Sequence, residues 1–205
     1  MKIAIVVGTR PEIIKMSPII RYCIGNQLDF FIIHTGQHYS YNMDRMFLEE
    51  LGLPEAKYYL EAGSGSHGKQ TAVILDRIEQ VLVKENPSII LVQGDTNSVL
   101  AGALAASKLH IKVGHIEACL RSNDKLMPEE INRIIADHTA DYLFAPTEDS
   151  KMNGIKENLP ENRIFVTGNT IVDAVLQNIK LAECRGDVFE KMGVKKNDYI
   201  LLTLH

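Results

Sequence analysis

A chain of 205 residues, 45% of them hydrophobic, is long enough to bury a substantial core, and its size suits one large domain or a domain with part of another. A formal net charge of -4 offers no general attraction to nucleic acid or to an acidic membrane, so an anionic ligand has to be met by a local pocket. Three cysteines without C-x-x-C spacing encode neither a disulfide framework nor a zinc ribbon, and a reducing cytoplasm is the expected setting.

The opening MKIAIVVG has a short apolar stretch that ends at Gly8 and runs into charge, so it reads as a buried strand over 3–7, not as a signal peptide or a membrane span. Pro11 suits the first position of a helix over PEIIKMSPIIRYCI, and Pro18 predicts that this helix kinks or ends near Ser17. Further apolar strand-like runs follow at 30–34, 89–93, 112–117, 142–145 and 164–168. Helical patterns lie between them at 43–51, 69–85, 98–109 and 128–140 and after the last at 170–184, with SGSHG (64–68) as a loop. This βα alternation predicts a parallel sheet with right-handed crossovers, its strands buried on both faces by helices. A charged connector over 185–198 precedes a fresh apolar run, YILLTLH (199–205). The expectation is a domain over 1–185, then a linker and the first strand of a truncated second domain over 186–205.

In such a sheet ligands bind beyond the carboxyl ends of the strands. After the first strand stands GTRPEIIK, with neither G-x-G-x-x-G nor a Walker loop; it offers the helix N-terminus at Pro11, Arg10 to fork onto a phosphate, and Lys15. Against this, Glu12 with Lys15 makes an ordinary surface ion pair. Asp95 follows the strand at 89–93, where it is also well placed to cap the next helix. Glu117 ends the run 112–117, where an unpaired carboxylate is costly, which favours function. Glu129, Asn132 and Arg133 share one helical face, although helix-start acidity accounts for the glutamate. The spacing of His34, His38, His67 and His115 supports no metal site. Carboxylates beside Arg and Lys, without a redox or metal motif, suit proton chemistry on an anionic substrate.

GTRPEIIK (8–15), TGQH (35–38), VQGDT (92–96), HIEACLRS (115–122), MPEEINR (127–133) and TGNTIVDA (167–174), in this order, closely resemble the non-hydrolysing UDP-N-acetylglucosamine 2-epimerases. The resemblance covers the whole chain. It implies the N-terminal domain of a GT-B arrangement of two Rossmann-like domains, a UDP-sugar held between them, no cofactor, a homodimer at full length, and a role in polysaccharide biosynthesis. It also implies a reaction: the C2 proton leaves, UDP is eliminated to give a glycal, and re-addition with protonation on the other face interconverts UDP-GlcNAc and UDP-ManNAc. By matching motifs, Asp95, Glu117, Glu129 and His205 take catalytic places, and Arg10, Lys15 and Arg133 substrate-binding places. The family's motif has glycine where this chain has Cys119, so a β-carbon there constrains the loop of Glu117 if that position needs a positive φ. Because the second domain supplies half of the implied cleft, the lone chain is expected to be inactive. The alternative is a non-catalytic UDP-sugar-binding or assembly module. A GT-B glycosyltransferase shares the architecture but leaves these motifs unexplained.

Overall fold

The structure, a computed structural model, describes residues 1–37, 41–184, 188–195 and 197–202, without the side chains of 41–45 and 184. Its strands are β1 Lys2–Val7, β2 Asp29–His34, β3 Tyr58–Tyr59, β4 Ile89–Gln93, β5 Lys112–Ile116, β6 Tyr142–Ala145 and β7 Ile164–Val166. Its helices are α1 Arg10–Gly25, α2 Tyr41–Glu50, α3 His67–Glu85, α4 Asn97–Lys108, α5 Pro128–Thr139, α6 Glu148–Lys156, α7 Thr170–Cys184 and α8 Val188–Lys191. All strand pairs are parallel, in the order β3-β2-β1-β4-β5-β6-β7. The order reverses between β1 and β4, which opens a crevice at their carboxyl ends. The apolar runs anticipated every strand except β3, two edge residues with no such run around them.

The strands are largely apolar because the central ones meet a core on each face. Ala4, Val6, Phe31, Ile33, Ile90, Val92 and Val113 pack with Ile74, Ile78 and Leu82 of α3 and Val99 of α4. The alternating residues Ile3, Ile5, Val7, Ile32 and Ile116 pack with Ile13, Met16 and Ile20 of α1 and Leu48 of α2. A one-residue slip would send the two sets to the wrong faces, so the register is strongly specified. Two-sided burial of β1 and β4 leaves only their carboxyl-terminal turns to meet a ligand.

Helix α1 does not end near Ser17; it runs through Pro18 to Gly25. Proline lacks the N–H that would bond the carbonyl four residues back, at Ile14. The Ser17 hydroxyl donates to that carbonyl instead, at 2.8 Å, so the proline leaves no orphan acceptor. The domain boundary expected near residue 185 falls outside the described residues. Beyond it, residues 199–202 have no regular secondary structure, and Ile200, Leu201 and Leu202 are exposed. Among the described residues no helix is long and apolar enough to cross a membrane.

Ser17→Ala should lower the unfolding free energy by about 1 kcal/mol, because the Ile14 carbonyl is then unsatisfied. In a Pro18→Ala background the backbone N–H returns and the same substitution should cost almost nothing. Denaturant unfolding of the four proteins of this cycle measures the difference, and equal costs in both backgrounds would refute the account.

Candidate active site

The turn after β1 is built around Gly8. A β-carbon there would stand 2.2 Å from Ser98 Oγ and 2.4 Å from Thr35 Oγ1, so only glycine lets α4 pack this closely on the turn. Glu12 is not a surface partner of Lys15: it is buried, and its Oε2 accepts the N–H groups of Gly8 at 2.6 Å and Thr9 at 2.7 Å. Its Oε1 accepts the Thr96 hydroxyl at 2.6 Å, which ties the β1 turn to the β4 turn across the switch point. Burial raises the Glu12 pKa, and the bonds from Thr96, Gly8 and Thr9 oppose this only in part.

Asp95 does not cap α4. Thr96 does, accepting the Val99 N–H, and this frees the Asp95 carboxylate to face Arg133, whose Nε and Nη2 donate to Oδ2 at 3.0 and 2.8 Å. Asn132, one residue earlier on α5, donates its side-chain amide to the Asp95 carbonyl at 2.8 Å. The second turn of α5 and the turn after β4 are thereby locked together. Glu130 completes the lock: it is buried, accepts the backbone N–H groups of Ser122 and Asn123, and receives Arg133 Nη1. Burial pushes the Glu130 carboxyl up, but those bonds win and its pKa lies below the ordinary value.

Glu117 sits just past β5 with φ of 66°, in the left-handed region that a glutamate rarely adopts. Its Oε2 accepts Lys15 Nζ at 2.6 Å and the Gln93 side-chain amide, and its Oε1 accepts Asn169 Nδ2 at 3.3 Å. The carboxylate also lies close to Gly94, whose own φ is 82°; a β-carbon on Gly94 would touch Glu117 Oε2 at 3.9 Å. Cys119 shares the left-handed conformation, with φ of 63°, so the condition under which its side chain constrains the loop is met. It is buried, and its N–H donates to both carboxylate oxygens of Asp137, at 3.2 and 3.0 Å. Burial, reinforced by the Asp137 charge against Arg121, pushes the Cys119 thiol up to about 12.

These groups surround a cleft of about 330 Å³ whose wall includes Lys15, Gln93, Asp95, Glu117 and Arg133. Larger depressions elsewhere, lined by residues such as Arg77 and Lys84 or by Phe30 and Pro54, bring no comparable set of carboxylates together. Of the residues expected from sequence, Lys15, Asp95, Glu117 and Arg133 meet in the cleft. Arg10 opens α1, is exposed and is not part of the cleft wall. Glu129 is half-buried on the first turn of α5 and likewise lies outside the wall. His38 and His205 fall outside the described residues. Sequence reading missed Glu12, Gln93, Glu130 and Asn169. Glu130 adjoins Glu129 in MPEEINR and Asn169 lies within TGNTIVDA, but nothing local tells which glutamate turns inward. No cluster of His, Cys, Asp or Glu able to hold a metal occurs among the described residues.

The fold and cleft define a doubly wound α/β domain with opposed carboxylates and cations at its switch point. A sequence profile of the UDP-N-acetylglucosamine 2-epimerases matches residues 24–205, and the chain belongs to that family. It is 60% identical to a UDP-N-acetylglucosamine 2-epimerase of Methanocaldococcus jannaschii, over all of this chain and 57% of that protein. It is 44% identical to a UDP-2,3-diacetamido-2,3-dideoxy-D-glucuronate 2-epimerase of Pseudomonas aeruginosa, over all of this chain and 57% of that one. The crystal structure of the M. jannaschii UDP-GlcNAc 2-epimerase in complex with UDP-GlcNAc and UDP superposes with a TM-score of 0.90, covering 94% of this chain and 53% of that one. The chain spans about half the length of the relatives it matches and corresponds to their N-terminal half.

A left-handed backbone favours glycine over any residue with a β-carbon by about 1–2 kcal/mol. Cys119→Gly should therefore unfold at higher denaturant concentration than Cys119→Ala, the reverse of the usual order for a buried position. A more stable alanine variant would mean that the loop relaxes out of the left-handed conformation.

Proposed function

We propose that this chain forms the first half of an epimerase that interconverts UDP-GlcNAc and UDP-ManNAc. A carboxylate removes the proton at C2, the electron pair forms a C1–C2 double bond, and the C1–oxygen bond breaks to release UDP. UDP then adds back at C1 while a proton returns to C2 from the other face, so atoms and electrons balance without an external oxidant or reductant. The observation that carries this reading is Glu117, held in a left-handed conformation against Lys15 in the same cleft as Asp95 and Arg133. Strain of this kind persists where the surroundings enforce it, commonly at working sites.

Asp95 and Glu117 act as acid and base, with Glu129 and His205 completing the catalytic set. Lys15 and Arg133 meet the diphosphate with Arg10 at the mouth. In the free chain the carboxylates satisfy these cations, so an entering diphosphate competes for Lys15 and Arg133 and releases Glu117 and Asp95 from their ion pairs. Binding of the leaving group thus frees the carboxylates that handle the C2 proton. The alternative, a binding module without catalysis, draws on the span of the chain, about half that of its relatives. Closure by a second domain is what would exclude water and complete the contacts.

The test completes the chain with the C-terminal half of the M. jannaschii relative. That chimera should epimerise and, in D2O, place deuterium at C2 of the product; product without it would exclude exchange through carboxylates. Glu117→Gln should lower kcat by about 10²–10⁴-fold with an unchanged melting curve. Unaltered turnover would remove Glu117 from the chemistry. The lone chain should show weak UDP binding and no C2 epimer by NMR, and robust turnover by it alone would refute the two-domain cleft.

A further inference from the structure

His115, in the middle of β5, is fully buried, and both of its ring nitrogens are committed to acceptors. Nδ1 lies 2.7 Å from Asp137 Oδ1, and Nε2 lies 2.8 Å from the Gly94 carbonyl oxygen. A carbonyl has no proton to give, and an ionised carboxylate has none either, so each ring nitrogen must carry its own. The ring is then an imidazolium. The network around it balances that charge: Arg121 joins Asp137 at 2.7 Å and Glu157 at 2.7 Å, so two buried or half-buried cations face two carboxylates.

The two ends of the ring reach the two turns of the cleft. Gly94 precedes Asp95, and Asp137 holds the Cys119 N–H two residues beyond Glu117. We propose that His115, doubly protonated, is a positioning residue that sets Asp95 and Glu117 relative to each other through the Gly94 carbonyl and the Asp137 carboxylate. His115 touches neither working carboxylate, and its role is to hold the turns that carry them. The proposal rests on reading Asp95 and Glu117 as the reacting groups, whereas the protonation state and the two contacts are tested without it.

Other charged and titratable groups stand on the elements that carry the ring's two partners or adjoin them. Asp137 and the more exposed His138 come from α5, the latter 3.4 Å from Glu157. Arg121 and the Cys119 thiol come from the turn after β5, Glu157 from the end of α6, and Asp95, already paired with Arg133, from the turn after β4. Burial alone would discharge His115, but the charge and hydrogen bond of Asp137 and the Gly94 carbonyl outweigh it against Arg121, and its pKa lies above the ordinary imidazole value. Burial likewise opposes ionisation of Asp137, and His115 and Arg121 hold its pKa below the ordinary aspartate value. The stability contributed by His115 is fully present below about pH 6.5 and is lost as pH rises through its raised folded value. That of Asp137 is present above about pH 3.9 and is lost as pH falls through its lowered one. Between the two folded values the pins hold.

Nitrogen-15 NMR of the histidine-labelled 205-residue chain at about pH 7.5, a full unit above an unperturbed imidazole, tests the first claim. The His115 ring, assigned by its loss in His115→Gln, should show a proton on each nitrogen; a single ring proton overturns the proposal. Asp137→Asn serves for assignment if the first variant does not fold, and it should also return the ring to a neutral form. Amide hydrogen exchange of His115→Gln tests the second claim. Cys119 and the 94–96 turn should exchange on the order of tenfold faster than before, with β2 unchanged. A uniform rise across the sheet would mark a merely structural residue and refute the positioning role. In the completed chimera the same variant should lower kcat about 10²-fold with a smaller change in KM, and its activity should lose the alkaline limit set by His115. A rate lost only through KM would overturn the assignment. If the unsubstituted chimera is inactive, the epimerase reading fails, while the resonances and exchange rates still decide what His115 does.

Discussion

The buried carboxylate of Asp137 is the point from which the cleft is built. It accepts the Cys119 N–H, Arg121 and His115 together, so β5 and the turn that follows it are held to one anion carried by α5. An isolated carboxylate at this depth would be prohibitively costly, and only partners of matched charge and geometry make it tolerable. Removing one partner of such a buried set costs about 3–5 kcal/mol, because the charge left behind has no water to turn to. That asymmetry lets the set resist distortion of a turn whose residues would otherwise leave the left-handed region. The strain at Glu117 and Cys119 is thus sustained by electrostatics behind the sheet edge.

The same logic operates on the opposite wall through Glu12. A carboxylate at the start of a helix is ordinary on the surface, where it complements the free N–H groups of the first turn. Here it is buried and bridges two turns, Gly8–Thr9 and Thr96. The phosphate-loop role of glycines in other doubly wound folds is thereby partly replaced. One glycine, Gly8, permits the close approach of α4, and the rest of the turn is fixed by the buried Glu12 carboxyl, with the cation Lys15 facing inward. The cleft is consequently lined by side chains able to exchange protons, where a glycine loop would offer only backbone N–H groups.

Much of the architecture was legible from pattern alone. Apolar runs marked every strand but the two-residue β3, since two-sided burial demands continuous apolar residues and an edge pair does not. That Lys15, Asp95, Glu117 and Arg133 line the cleft was legible because ligands in this fold meet the strand ends, and three of these follow strands directly or within a turn or so. Pro18 does not end α1, because Ser17 supplies the donor for the Ile14 carbonyl, an effect visible only when hydroxyl and carbonyl are placed. The i, i+3 spacing of Glu12 to Lys15 suits a surface ion pair and a buried bridge equally, and only the placement of Gly8, Thr9 and Thr96 separates the two.

By itself the sequence determined the alternation of strands and helices, the two-faced burial of the sheet, and which residues stand at its carboxyl edge. These depend on periodicity and on turn chemistry, which act over a few residues. Tertiary structure alone decided the partner of each charge: Asp95 with Arg133 instead of a helix cap, Glu117 with Lys15, and Glu130 with the 122–123 turn. Those choices depend on crossovers that bring together groups far apart in the chain, and a buried ion selects its partner by distance and desolvation in three dimensions. His115 shows the division most clearly. The chain says only that a histidine lies in an apolar strand; the fold puts an acceptor at each of its nitrogens and thereby sets its charge.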